Sequence, residues 1–411
     1  MNKLLHIINR VRNAGFRKVI AFLRILPYRR RLIRMIRTSA TGETHPVRGI
    51  TIIGPMARAA STSKVLRDFA HSIKDAGIPF QVLDTDPRCQ VPQEDIEGIV
   101  TSTDKFDIRK YDHVVEMLTS IVPDIDGVSK SRIAFWEFAD GFREGCIDLI
   151  HSRHIITMSD FCTEFYRREL PPEINVTKIL YPFRFKHNDL PSVDEIRTRY
   201  GIAPNDFMVF FNFDYGSGFG RKNPDGAMRA FAQAFCKSNN TKLVFKTMGA
   251  KSHPNRVKLL HELANELDIA DQFIEIDSYV SERELYGLTN ACDVYLSLHR
   301  GEGFGITLAE AMVLGKPVVC TDWSSTTEFC NADCAMPIPY EMVRPSCIDN
   351  PSYRGVTKWA DADINAAAIA LKQLKGNPVL RNGIGEKART SITNQFALYN
   401  FKKSVEKFLN E

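Results

Sequence analysis

The chain has 411 residues, 44% of them hydrophobic, and a formal net charge of +5. That length supplies enough apolar side chains for two cores, and no apolar run reaches the roughly 18 residues of a membrane-spanning helix. Its nine cysteines are scattered, odd in number and without a C-x2-C pair, which points to a reduced cytosolic chain and away from a zinc site.

The charge is unevenly spread. Residues 1–40 hold eleven of the 54 basic residues and none of the 49 acidic ones, so the remainder is mildly acidic. Lys3, Arg10, Arg17, Arg24 and Arg31 recur every seven residues, beside Leu4, Ile8, Val11, Val19, Phe22 and Leu26 at helical spacing. The pattern predicts a basic amphipathic helix broken at Pro27, with a second piece ending in YRRRLIRMIR. Such a segment favours an anionic membrane surface, at about 1 kcal/mol for each Lys or Arg that reaches it. The alternatives are a helix packed on the domain, a transit peptide and a nucleic-acid-binding arm. No base-reading module accompanies the arm, so nucleic acid is not an expected partner.

Beyond a polar linker at Thr41–Pro46, Gly49 to Gly54 reads as a strand, Ser63 to Ala76 as a helix and Pro79 to Leu83 as a second strand. This is a βαβ start of the kind that builds a parallel sheet. Gly54 closes the first strand, and the loop behind it lies at the sheet edge where such folds bind ligands. His113-Val-Val and Arg132 to Phe138 read as further strands, the latter placing Trp136 and Glu137 near its end. Ile155 to Ser159 follows as another.

Lys186 to Asn205 is charged and carries Pro191 and Pro204, as an interdomain connection would. Met208 to Phe213 opens a second set of strands, which continues with Lys242 to Lys246, Phe273 to Ile276 and Asp293 to Ser297. Between the first two lies a glycine-rich loop leading to Arg221-Lys222; its glycines miss the dinucleotide fingerprint spacing. Ser281 and Glu284 form a capping box at the head of a helix. Cys330 and Cys334 have no histidine or second pair beside them and read as structural.

The most informative stretch is Ser297 to Cys320, SLHRGEGFGITLAEAMVLGKPVVC. Glycines 301, 303 and 305 form a loop, Ile306 to Leu314 an apolar helix stopped by Gly315 and Pro317, and Val318 to Cys320 a strand. A glycine loop at a helix N-terminus presents free N–H groups and the positive end of the dipole, which suit a phosphate. Glu302 precedes this helix and Glu310 lies about one turn into it; as an alternative, Thr307 and Glu310 could be a capping box.

This stretch resembles the retaining GT-B glycosyltransferases with an E-x7-E motif, matched by Glu302 and Glu310 within EGFGITLAE and by the following AMVLGKPVV. The resemblance implies an α/β fold of two facing Rossmann-like doubly wound domains with a cleft between them. It also implies roles: Glu302 contacts the donor sugar, the backbone of Gly303, Phe304, Gly305, Ile306 and Thr307 binds the pyrophosphate, and Glu310 holds the ribose hydroxyls. Arg221 and Lys222 resemble the basic pair that neutralises the leaving diphosphate, with Lys246, Arg300 and Gly54 at the donor. Where the family often carries a histidine toward the donor sugar, this chain has Glu137. Ser159-Asp160-Phe161, Leu180-Tyr-Pro182 and Trp359-Ala360 resemble further family elements.

The expected organisation is therefore a basic arm (1–46), an acceptor domain (47–185), a nucleotide-sugar domain (186–385) and a C-terminal helix (386–411) returning to the first domain. The expected activity is retaining, metal-independent transfer of a hexose, with mannose or rhamnose favoured, from a GDP-, dTDP- or UDP-linked donor. A saccharide or lipid-linked acceptor in cell-surface polysaccharide synthesis, at the inner face of the cytoplasmic membrane, completes the expectation. No cofactor is expected. The alternatives are a nucleotide-sugar epimerase of the same fold and a non-catalytic nucleotide-sugar-binding subunit.

Overall fold

The computed structural model describes residues 26–411 apart from 42–44, 59, 87, 89, 119–120, 135–136, 138–148, 150–151, 185–188, 346–352 and 354–355. The basic heptad pattern over residues 1–25 lies outside the described residues. Contacts divide the chain into a first unit, residues 1–134 with 152–156 and 401–411, and a second, residues 135–151 with 157–400.

The first unit begins with helix α1 (26–39). Leu32 and Ile36 on this helix are buried among Ile53, Leu83, Phe106 and Val114, and the Tyr28 hydroxyl donates to the Asp84 carbonyl at 3.0 Å. The apolar stripe of YRRRLIRMIR, expected to face a membrane, is thus part of the protein core. Arg30, Arg31, Arg34 and Arg37 occupy the exposed side. Pro27 is the second described residue of this helix, so the break expected there borders residues outside the described ones.

Strand β1 (Val47–Gly54), helix α2 (Ser61–Asp75) and strand β2 (Phe80–Asp84) form the expected βαβ start. With β3 (Tyr111–Glu116), β4 (Ser129–Ile133), β5 (His154–Thr157) and β6 (Asn175–Lys178) they build a six-stranded sheet in the order β2-β1-β3-β4-β5-β6. The order reverses at β1, as in doubly wound folds. β4 ends at Ile133, so Glu137 stands on irregular chain beyond the strand rather than at its tip. β6 is a short strand that the sequence reading missed: its four residues, NVTK, carry no apolar run.

The second unit contains helix α3 (Asp160–Glu169), helix α4 (Val193–Arg199) and the second six-stranded sheet. That sheet comprises β7 (Phe207–Asp214), β8 (Thr241–Met248), β9 (Phe273–Ile276), β10 (Val294–Ser297), β11 (Val318–Thr321) and β12 (Met336–Ile338). Its order is β12-β11-β10-β7-β8-β9, and all its strand pairs are parallel. β7 reads FMVFFNFD because a central parallel strand is covered on both faces. Phe211 packs edge-on against Phe245 at 5.5 Å and Tyr295 at 6.5 Å.

Helices α5 (Phe219–Lys222), α6 (Pro224–Phe235), α7 (Pro254–Glu266), α8 (Glu282–Ala291) and α9 (Ile306–Val313) connect these strands. A two-stranded antiparallel sheet of β13 (Tyr340–Val343) and β14 (Trp359–Ala362) follows. Helices α10 (Ile364–Gly376), α11 (Pro378–Gln395) and α12 (Leu398–Phe408) close the chain. Phe401 and Phe408 of α12 pack in the first unit, against Phe69 at 5.7 Å and His113 at 5.2 Å. Residue 386, where the C-terminal segment was expected to begin, falls inside α11. That helix is continuous and packs on α9 so closely that a methyl group at Gly385 would meet the Gly315 carbonyl oxygen at 2.0 Å.

Candidate active site

The C-terminal edges of β7 and β10 carry the loops that build the site. After β7 the chain turns at Gly218, with φ of 94°, into α5, which is a single helical turn ended by Asn223 at φ of 56°. Arg221 and Lys222 therefore stand on a turn of their own, directly ahead of α6. Asn223 serves both sides: its Oδ1 accepts from Gly226 N at 3.1 Å to cap α6, and its Nδ2 donates to the Leu298 carbonyl at 2.8 Å. The Arg300 N–H donates to the Arg221 carbonyl at 2.8 Å. The Arg300 guanidinium donates to the Gly220 carbonyl at 2.6 Å and pairs with Asp361 at 2.8 Å. Arg300, expected at the donor, thus straps α5 to the strand end.

The GEGFG loop follows β10. Gly305 is the N-cap of α9 at φ of 94°, a conformation L side chains avoid, and a Cβ there would meet Thr326 at 2.5 Å. With Gly305 at the cap, Thr307 and Glu310 lie inside the helix, and the capping-box alternative does not hold. α9 has no side-chain cap and no acid in its first turn, so the amides of Ile306 and Thr307 are the orphan donors of a helix start. The Glu302 N–H donates to Ser324 Oγ at 2.9 Å, and the Ser325 N–H to the Glu302 carbonyl at 3.3 Å. This docks the loop on the short 3-10 turn Ser324–Glu328.

Glu302 and Glu310 are both buried. The Glu302 carboxylate pairs with Lys222 through a short hydrogen bond and with Arg221 Nη1 at 3.3 Å. Burial alone would raise its pKa; Lys222 and then Arg221 bring it down to about 2. Burial, joined by Arg221, lowers the Lys222 ammonium from lysine's ordinary range. Glu310 accepts from the Tyr286 hydroxyl at 3.1 Å, which Glu282 shares at 3.0 Å. Lys246, inside β8 two residues before its end, is buried and donates to the Thr247 carbonyl at 2.5 Å. The Phe304 side chain is core, 4.5 Å from the Tyr181 ring and 5.4 Å from Phe329. Gly54 ends β1 in the first unit.

Glu137 joins the cluster. Its Oε1 lies 2.9 Å from Arg221 Nε and accepts the Tyr353 hydroxyl. The Arg221 guanidinium sits 5.7 Å from the centre of the Tyr353 ring.

Further residues support the site: the sequence reading singled out Ser159, within Ser159-Asp160-Phe161, but not Tyr353. Tyr353 follows a stretch with no motif. His299 lies directly before the loop and is fully buried; burial pushes its pKa down to about 4. Its Nε2 faces the Trp323 carbonyl at 3.3 Å and Thr326 Oγ1 at 3.1 Å, and its Nδ1 faces Ser297 Oγ at 3.1 Å. A carbonyl can only accept, so Nε2 carries the proton and Nδ1 accepts. Ser159, the N-cap of α3, donates to the Gly303 carbonyl at 3.1 Å. Among the described residues, no three His, Cys, Asp or Glu side chains gather as a metal site would require.

Residues 192–333, which span the glycine loop and both basic and acidic motifs, match the family described as "Glycosyl transferases group 1". Solved structures with a similar fold include Anabaena Alr3699/HepE in complex with UDP-glucose, at 14% identity and a TM-score of 0.64, covering 88% of this chain and 99% of that one. Sucrose-phosphate synthase from Thermosynechococcus elongatus matches at 13% identity and a TM-score of 0.61, covering 89% and 98%. WaaG, a glycosyltransferase involved in lipopolysaccharide biosynthesis, matches at 16% identity and a TM-score of 0.57, covering 88% and 99%. A comparison with curated protein sequences finds no match. The fold is GT-B, with two parallel six-stranded sheets of Rossmann-like character. The residues that match the glycosyl transferases group 1 family include most of its second sheet.

Proposed function

We propose that the chain is a retaining glycosyltransferase that moves a hexose from a nucleotide sugar to a saccharide acceptor without a metal ion. One observation carries the reading: Arg221 and Lys222, on a helical turn of their own, meet Glu302 of the GEGFG loop at the N-terminus of α9. Charge develops on the departing diphosphate, and preorganised donors aimed at it lower the barrier. The two side-chain cations and the amides of Gly303 to Thr307 supply those donors. Glu302 stays ionised and orients the sugar hydroxyls, Glu310 takes the ribose, and Lys246 lies two residues before the end of the neighbouring strand. With retention, the leaving phosphate oxygen accepts the acceptor hydroxyl's proton on the face it departs from.

UDP-, GDP- and dTDP-linked hexoses are the donors to compare, since the UDP-bound neighbours are too distant to choose among them. For a membrane-linked acceptor, the support is the row of exposed arginines on α1. The test is thermal stabilisation by UDP, GDP and dTDP, followed by assay of free diphosphate release from the matching sugar nucleotide with acceptor present. Ligand at 100 times its dissociation constant adds about 2.7 kcal/mol of stability. Silence from all three sinks the reading. Binding without diphosphate release favours an epimerase or a binding subunit.

A further inference from the structure

Four buried ionisable side chains face one another in the site: Arg221 and Lys222 from α5, Glu302 from the loop, and Glu137 from the chain beyond β4. Their side chains are 7%, 14%, 10% and 6% exposed, respectively. Two cations against two carboxylates make the cluster neutral as it stands. Glu302 is matched twice over, by Lys222 and by Arg221 Nη1. Glu137 has the Arg221 Nε side as its ion partner, while its Cγ lies where a methyl on Gly301 would touch it at 3.4 Å. A nucleoside diphosphate brings further negative charge to cations already spent on carboxylates.

On the glycosyltransferase reading above, we propose that Glu137 is an internal counter-anion for Arg221, which the donor diphosphate supplants, and that the site takes up a proton at Glu137 as the diphosphate binds. The proton comes from solvent and no covalent bond is made or broken elsewhere. The physical reason is desolvation: a buried carboxylate whose cation is given to another anion neutralises itself rather than remain charged. Burial already holds the Glu137 carboxyl above its ordinary range, against Arg221; Glu302 adds to the rise, and Tyr353 and Lys222 oppose it.

Among the described residues, the other titratable group near Glu137 is Cys162 of α3, whose thiol burial raises to about 12; burial raises the Tyr353 phenol as well. Neither releases a proton near neutral pH. Glu302, at about 2, does not accept one. Lys222, whose ammonium burial and Arg221 lower, is the other group able to take a proton, and Glu137→Gln separates the two.

Titration calorimetry of UDP binding, between pH 6 and 8 in buffers of different ionisation enthalpy, reads this directly. The wild type is expected to take up as much as one proton, so that binding tightens by up to tenfold per pH unit as pH falls. Glu137→Gln removes the competing charge. It is expected to bind UDP roughly tenfold tighter at pH 8, the factor that one pKa unit represents. What remains in it should be a small release of protons from the terminal phosphate, which titrates near pH ~6 and is held deprotonated by the cations. Tyr353→Phe, a milder change, deletes one hydrogen bond to the carboxylate and is expected to keep the uptake with its midpoint moved to higher pH. Equal uptake in wild type and Glu137→Gln, unchanged or weaker binding by a folded Glu137→Gln protein, or an unmoved midpoint in Tyr353→Phe overturns the inference while leaving the glycosyltransferase reading intact. Absence of binding by UDP, GDP and dTDP alike overturns both.

Discussion

Ser159 and Gly303, 144 residues apart, are joined by a hydrogen bond of 3.1 Å from the serine hydroxyl to the glycine carbonyl. The same oxygen caps α3 by accepting from the Cys162 N–H at 3.2 Å, and it accepts from Ser325 Oγ at 2.8 Å. Glu328 Oε1 reinforces the junction by accepting from the Asp160 and Phe161 N–H groups at 2.6 and 3.2 Å. The start of α3 and the GEGFG loop are therefore one unit mechanically. Ser159→Ala is expected to cost about 1–2 kcal/mol of stability through the lost cap. It should also weaken diphosphate binding more than a cap alone explains. Denaturant unfolding and calorimetry on the same variant separate the two; a stability loss with unchanged affinity argues against a positioning role.

Glu302→Gln and Lys222→Ala address the chemistry. In Lys222→Ala the Glu302 carboxylate keeps Arg221 at 3.3 Å, so the fold is expected to survive. Transfer should fall about 10²–10³-fold, the loss typical of removing one preorganised electrostatic donor. A folded variant of either kind with near-normal turnover would remove these residues from the proposed mechanism.

Gly305→Ala is predicted to disable the loop. The position has φ of 94°, and the new methyl would meet Thr326 Cγ2 at 2.5 Å. Backbone strain of this sort costs on the order of 1–3 kcal/mol. The expected readout is loss of thermal stabilisation by nucleoside diphosphate, with circular dichroism close to wild type. Retained stabilisation would show that the loop tolerates another backbone path.

His299 makes a pH prediction. Its folded-state pKa of about 4 lies below the ordinary histidine value, with burial as the leading cause. The unfolded chain therefore binds the proton more readily, and stability falls as pH drops from about 6.5 through about 4. The full effect is about 3 kcal/mol, present above pH ~6.5 and lost by pH ~4. His299→Gln should show a shallower acid loss when unfolding is compared at pH 5 and 7. Parallel losses in both proteins would contradict the assignment.

On α1, Ile36→Ala is expected to cost about 2–5 kcal/mol, because it empties a core position. Arg34→Ala, on the exposed side, should stay within about 0.5 kcal/mol. If the two prove equally harmless to chemical denaturation, the helix does not belong to the core.

Much was legible before any coordinates. The alternation of strands and helices, the run FMVFFNFD, the glycine loop with its helix stop at Gly315, and the Ser281 N-cap are local patterns. Backbone sterics, helix-end hydrogen bonding and burial on both strand faces set them within a few residues, and the structure has them where the pattern placed them. The motif pairs Arg221-Lys222 and Glu302/Glu310 were also readable as positions in the chain.

What the chain order could not show is which of these charges meet. Lys222 reaches Glu302 across 80 residues, Glu137 and Tyr353 meet across 216, and Arg300 pairs with Asp361 across 61. Only the folded sheet edges bring such groups together, because long-range ion pairing depends on where strand ends converge rather than on spacing. The same holds for the arginine-rich helix α1. Its amphipathic period is as compatible with a lipid surface as with a protein core, and the burial of Leu32 and Ile36 decided for the core because Ile53, Leu83 and Val114 offered a matching apolar face.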